Sequence, residues 1–123
     1  MQVANQPSAS TTDAKTIVLA FIKALNDSDF DSARSYLADD LVFAGVMGTR
    51  NSADDYMRDM KKMKFKYAVQ KVFVDGGDVC LWYDITMSGK EIFTCGWYKV
   101  SGGKIDSFKV LFDPRPLLEQ AKQ

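Results

Sequence analysis

Apolar residues fill much of the second half of the chain, from Lys66 to Asp113, in four long segments separated by short glycine turns. Gly76-Gly77 divides Lys66–Asp75 from Asp78–Met87, Ser88-Gly89 divides that segment from Lys90–Val100, and Ser101-Gly102-Gly103 leads into Lys104–Asp113. Glycine pairs and Ser-Gly supply the positive φ angles of tight hairpin loops. The segments between them are rich in Val, Ile, Phe, Tyr, Trp and Thr, which fit a pleated surface. The pattern predicts an antiparallel meander. The first half of the chain shows helical spacing instead. Ile17, Phe21, Ala24 and Leu25 recur along one helix ending near Asn26, which Ser10 or Thr11 is expected to cap. A shorter helix follows over about Phe30–Leu37, then a short strand Leu41–Ala44, a loop Gly45–Thr49, and a third helix Ala53–Lys62 behind a Ser52 cap. Residues 1–11 are polar and expected to form a loose leader, and residues 12–120 a single α+β domain.

Two-residue loops set the register, placing 80 opposite 97, 82 opposite 95, 84 opposite 93, 71 opposite 82 and 73 opposite 80. One sheet face then carries Val69, Lys71, Phe73, Cys80, Trp82, Asp84, Phe93, Cys95 and Trp97. The other carries Val72, Val74, Val79, Leu81, Tyr83, Ile85, Ile92, Thr94 and Tyr98. Both faces are apolar, whereas a sheet buried on one side should alternate apolar and polar. Helices can cover one face only. The other is expected to meet a second copy of the chain, and the residues assigned to that homodimer contact are Tyr83, Thr94 and Tyr98; the alternative, a sheet curled enough to bury both faces within one chain, stays open.

Composition narrows the chemistry. The chain has 123 residues and a formal net charge of zero, so it lacks the basic field that nucleic acid or an anionic membrane surface attracts. No apolar run approaches the roughly 20 residues of a membrane-spanning helix. Met1–Ser10 has neither a basic start nor an apolar core, and a cytoplasmic location is expected. There is no histidine, which excludes Ser-His-Asp and Cys-His nucleophiles and any histidine-ligated metal. No metal or cofactor is expected. The two cysteines, Cys80 and Cys95, are too few for a disulfide scaffold and read as reduced, buried thiols.

The order of three helices, an intervening strand and a four-stranded meander resembles the nuclear transport factor two-like superfamily, the α+β cone of SnoaL-like polyketide cyclases and ketosteroid isomerases. The resemblance is carried by Phe21-Ile22-Lys23-Ala24-Leu25-Asn26-Asp27-Ser28-Asp29, by Tyr36-Leu37-Ala38-Asp39-Asp40-Leu41-Val42-Phe43, by Trp97-Tyr98-Lys99-Val100 with Gly103-Lys104-Ile105, and by the ending Phe112-Asp113-Pro114-Arg115-Pro116-Leu117-Leu118-Glu119-Gln120. It implies a cystatin-like fold with a cone-shaped pocket. Phe21, Tyr36, Phe43, Met47, Tyr56, Met60, Trp82, Cys95, Trp97 and Phe112 are the candidate lining, and a small apolar molecule the candidate ligand. The alternative, that these groups pack as plain core, stays open.

The family's chemistry can be placed by position. The isomerase resemblance implies a tyrosine on the first helix, a base Asp after Ala-Asp-Asp and an acidic donor on the penultimate strand, where this chain has Phe21, Gly45 and Cys95. None abstracts an α-proton or stabilises an enolate strongly. The cyclase resemblance implies an Asp near the end of the last strand, which Asp113 matches, with a histidine that is absent. Lys71 and Asp84, one diagonal apart on neighbouring strands, could act as acid and base if both point inward. Three functions follow as expectations. The first is binding of a small hydrophobic molecule. The second is an isomerase, cyclase or lyase using Asp84, Asp113 and Lys71 on a carbonyl compound. The third is a homodimeric association module with a filled pocket.

Overall fold

The computed structural model describes residues 13–122, with side chains described as far as Leu118. The expected leader lies outside the described residues. Helix α1 spans Ala14–Asn26, and its cap is Asp13 rather than Ser10 or Thr11: the Asp13 carboxylate accepts from the Thr16 amide at 2.8 Å. Its buried stripe is Ile17, Val18, Phe21, Ile22, Ala24 and Leu25. Asp29 caps α2, Phe30–Ser35, by accepting from the Ser32 amide. That helix stops two residues earlier than its apolar spacing predicts, because Leu37 is taken into a strand.

Strand β1 runs Leu37–Gly45 and turns back into the short β2, Gly48–Arg50. Helix α3, Ala53–Met63, starts at Ser52, whose Oγ accepts from the Asp55 amide at 3.1 Å. It ends where Lys64 takes a left-handed conformation. The meander follows as β3 (Lys66–Asp75), β4 (Asp78–Met87), β5 (Lys90–Ser101) and β6 (Lys104–Phe112). A last helix, α4, Arg115–Lys122, was not expected. Pro114 and Pro116 suit its start, where the amides lack intrahelical acceptors.

One six-stranded sheet results, in the order β2-β1-β6-β5-β4-β3. Every pairing is antiparallel except β1 with β6, which is parallel. Pairing of Leu37 with Ile105 explains why β1 begins earlier than the predicted Leu41. The register of β4 on β5 is the one that the two-residue loop predicts, and Ser88 and Gly89 both take positive φ as such a turn requires. On β3 a bulge at Gln70 changes one assignment. Val69 pairs with Tyr83, so it shares the Tyr83 face and not that of Lys71.

The helices cover one face of this sheet. Val79, Leu81, Tyr83, Ile85, Met87, Ile92, Thr94, Tyr98, Ile105 and Phe108 are all buried against them. Two polar clamps fix the cover. Asn26, at the end of α1, donates to the Tyr67 carbonyl at 2.9 Å and accepts from the Tyr67 amide at 2.7 Å, satisfying part of the edge strand β3. Arg34 of α2 reaches Asp54 of α3, Asp39 of β1 and the Leu37 carbonyl. Among the described residues no helix lies over the opposite face, and Phe73, Trp82, Phe93, Trp97 and Leu111 are exposed there.

Phe21 sits where the layers meet, fully buried, with its ring centroid 6.4 Å from Tyr56, 6.5 Å from Tyr98 and 6.1 Å from Phe108. Phe21→Ala should cost about 3–5 kcal/mol, the usual range for a large core truncation. Urea unfolding checks this; a loss below about 1 kcal/mol would mean that this junction is not closely packed.

Candidate functional site

Between α3 and the inner sheet face lies a cavity of about 770 Å³, within the range of small-molecule sites. Tyr56, Asp59, Met60 and Met63 recur at helical spacing along α3 and turn one side of that helix into a wall. Tyr83, Ile85 and Met87 of β4 with Tyr98 of β5 form the floor. Phe43, Phe108, Val110 and Phe112 close one side, and Leu117 of the unexpected α4 completes it.

Four phenols gather here. The Tyr83 and Tyr98 hydroxyls lie 2.8 Å apart in a hydrogen bond. Tyr67 shares a hydroxyl hydrogen bond with Tyr56 and donates to the Met60 Sδ at 3.8 Å. The rings hold the hydroxyls in place: Tyr98 stacks on Phe108 at 4.7 Å, and Tyr67 meets Tyr83 edge-on at 5.3 Å. Phe43 packs at 5.0 Å against both Tyr56 and Phe108. The pair on the floor depends on Gly96, because a Cβ there would lie 2.7 Å from the Tyr83 hydroxyl oxygen and 2.7 Å from Tyr98 Cε1.

Burial is the chief cause that raises each of the four phenols well above the ordinary tyrosine value; neighbouring phenols add to the rise at Tyr56 and Tyr98, while the hydrogen bond from Tyr56 lowers Tyr67 and the one with Tyr98 lowers Tyr83. At neutral pH they are therefore hydroxyls, able to donate to an oxygen acceptor. At the mouth, Asp59 pairs with Arg50, Oδ2 to Nε, at 2.7 Å, beside Lys62 and the exposed Met47 and Met63.

Of the predicted lining, Phe43, Met47, Tyr56, Met60 and Phe112 surround the cavity. Phe21 lies in the core behind it, and Tyr36 caps α2. Trp82, Cys95 and Trp97 require correction, since they project from the outer face of the sheet. The homodimer assignment of Tyr83, Thr94 and Tyr98 requires the reverse correction: all three are buried on the helix side and cannot meet another chain. The two faces carry similar apolar content, so side-chain size alone does not say which face the helices cover.

The three predicted catalytic groups also lie away from the cavity. Asp84 accepts from Gln70 Nε2 at 2.7 Å outside, and Lys71 sits 5.9 Å from the centroid of the Phe73 ring. Asp113, beyond β6, accepts from the Arg115 amide and guanidinium, which hold its carboxyl down at about 2. Sequence reading missed Tyr67, Tyr83, Tyr98, Arg50 and Asp59 as site residues. Gly96 was the available signal for the tyrosine pair, since glycine inside a strand marks a close approach.

The SnoaL-like domain family's sequence profile matches residues 18–108, and the chain belongs to that family. The chain is 30% identical to a Mycobacterium tuberculosis protein, the epoxide hydrolase EphG, over 78% of this chain and 70% of that one. An NTF2-like protein of unknown function from Cytophaga hutchinsonii has 50% identity and a TM-score of 0.84, covering 85% of this chain and 94% of its own. An LEH-like epoxide hydrolase structure from M. tuberculosis superposes with a TM-score of 0.74 at 23% identity, covering 89% of this chain and 88% of its own, a likeness of fold. The family holds both ligand-binding proteins and enzymes. Among the described residues no helix is long and apolar enough to cross a membrane.

Gly96→Ala should separate the tyrosine pair and destabilise the chain by about 1–3 kcal/mol, as overpacking does; an unchanged urea midpoint would contradict the contact. The phenols also set a pH dependence. Their folded values lie above the unfolded value of 10.0. Their contribution is complete below pH 10 and lost as pH rises beyond it, because the unfolded chain then releases protons that the folded chain keeps. Stability measured from pH 8 to 11 should fall at the alkaline end, and less steeply in Tyr98→Phe.

Proposed function

We propose that this chain binds a small, mostly apolar molecule carrying one oxygen acceptor, with the acceptor at the phenols and the apolar body among Phe43, Met60, Ile85, Met87, Phe108 and Phe112. The observation that carries this reading is the set of four protonated phenols inside an apolar cavity of about 770 Å³. Each phenol can donate one hydrogen bond, and the surrounding carbon offers a ligand little else to bind. A ketone, an ether or an epoxide has the matching shape: an apolar frame with a single accepting oxygen. A cytoplasmic setting belongs to the same proposal, and the unlinked thiols fit it.

The Arg50–Asp59 pair favours a second reading, an enzyme. Asp59 is the carboxylate among the described lining residues, and it shares α3 with Tyr56. If Asp59 takes a proton or activates water while a phenol protonates the departing or enolising oxygen, the site can open an epoxide or isomerise a carbonyl compound. This moves the acid–base work from Asp84, Asp113 and Lys71 to a residue within reach of a bound molecule. Binding remains the preferred function, because Asp59 stands at the mouth and is already engaged by Arg50.

Titration calorimetry with a flat cyclic ketone and the hydrocarbon of the same frame separates these ideas. The ketone should bind more tightly by about tenfold, the worth of one buried hydrogen bond, and Tyr98→Phe should remove most of that difference. Equal affinity for both compounds would refute the acceptor role. For the enzyme reading, Asp59→Asn should abolish turnover of an epoxide or enolisable ketone while leaving its affinity within about twofold. Absence of turnover in the unmodified protein would leave binding as the function.

A further inference from the structure

The outer sheet face carries a cluster that the pocket does not use. Cys80 on β4 pairs in register with Trp97, and Cys95 on β5 pairs with Trp82, so the cysteines are diagonal neighbours pointing the same way. Their sulfurs lie 3.4 Å apart. A disulfide needs about 2.05 Å, so bond formation brings the two sulfurs closer than they stand here. Diagonal residues usually stand too far apart for such contact unless their side chains lean together, and here they do. Both thiols are partly exposed rather than buried as expected, and among the described residues no helix lies over them. A small reagent can therefore reach a sulfur pair that the rigid central strands already hold together.

We propose that Cys80 and Cys95 form a dithiol modification site, which a low-molecular-weight disulfide such as oxidised glutathione converts to an intrachain disulfide. One cysteine thiolate attacks the reagent's sulfur, its S–S bond breaks, and a reduced thiolate leaves. The other cysteine, as thiolate, then attacks the protein sulfur of the mixed disulfide and expels the second reagent thiol. Two protein thiols are oxidised, one reagent disulfide is reduced to two thiols, and the two protein protons go to the leaving thiolates. The bond joins β4 to β5 on the side of the sheet away from the tyrosine floor. The reaction is reversed by excess thiol.

The test uses the full chain, reduced, then exposed to oxidised glutathione, quenched in acid, alkylated under denaturing conditions and weighed by mass spectrometry. The expected product has lost two hydrogens, takes up no alkylating reagent, stays monomeric on a non-reducing gel and yields one peptide linking Cys80 to Cys95. The mixed disulfide should stay below about a tenth of the oxidised protein, because closure is intramolecular. The chain's only two tryptophans stand opposite the two cysteines, so the fluorescence should fall on oxidation and recover with dithiothreitol. Cys80→Ser and Cys95→Ser should each stop at a stable mixed disulfide on the remaining cysteine. The proposal is overturned if both thiols of the folded chain stay alkylatable, if the wild type accumulates glutathione adducts, or if the disulfide links two chains.

Discussion

Everything in this fold turns on one demand: the inner faces of the central meander strands β4 and β5 must be removed from water. Val79, Leu81, Tyr83, Ile85 and Met87 form an unbroken inward row on β4, and Ile92, Thr94 and Tyr98 continue it on β5. Helix α1 can satisfy only part of that demand, and Phe21 marks its deepest point. α3 reaches the rest from the side, contributing long and flexible residues, Met60 and Met63, in place of a close-packed ridge. The sheet is broader than the helices that cover it, and the remaining space is the cavity.

That geometry determines what the cavity can offer. A phenol hydroxyl taken from water without a partner costs several kcal/mol in an apolar setting, so the four tyrosines bond to one another and to the Met60 sulfur. Pairing within the wall leaves donors that are satisfied at rest yet available to exchange partners. A ligand oxygen can replace a tyrosine acceptor with little loss, while apolar contact supplies the affinity. The same burial that keeps the phenols protonated also keeps them from serving as bases. A reaction at this site therefore has to draw its base from the mouth, where Asp59 and Arg50 stand.

The strands and their register were legible because turn chemistry acts locally. Ser88-Gly89 admits one loop length, and from it every β4–β5 pairing follows. The choice of face was not legible, because it depends on where distant helices land. Trp82 and Tyr83 are neighbours with comparable apolar area, and no local rule says which one turns inward. Gln70 shows the same limit on a smaller scale: an extra residue in β3 moved Val69 to the other side without any glycine or proline to announce it. Asp59 escaped notice because it reads as a solvent-facing charge on α3. Only the arrival of Arg50, from a three-residue strand, makes it part of the cavity mouth.

Alternation along β5 separates the two faces chemically while joining them mechanically. Thr94, Gly96 and Tyr98 face the helices, while Phe93, Cys95 and Trp97 face out. The outer groups are held in their own contacts. Trp82 stacks on Phe93 at 5.2 Å, and Trp97 donates to Asp78 while Lys99 and Lys109 lie over its ring. Burial and the adjacent Cys80 push the Cys95 thiol up to about 11, so that sulfur rests as a thiol within this aromatic surround. Gly96 stands between Cys95 and Trp97 in the chain, and its bare Cα supports the tyrosine pair on the other side. A side-chain change confined to the outer face leaves the phenols untouched. A shift of the β5 backbone reaches both faces at once, because the clearance at Gly96 is already closed by the Tyr83 hydroxyl and the Tyr98 ring.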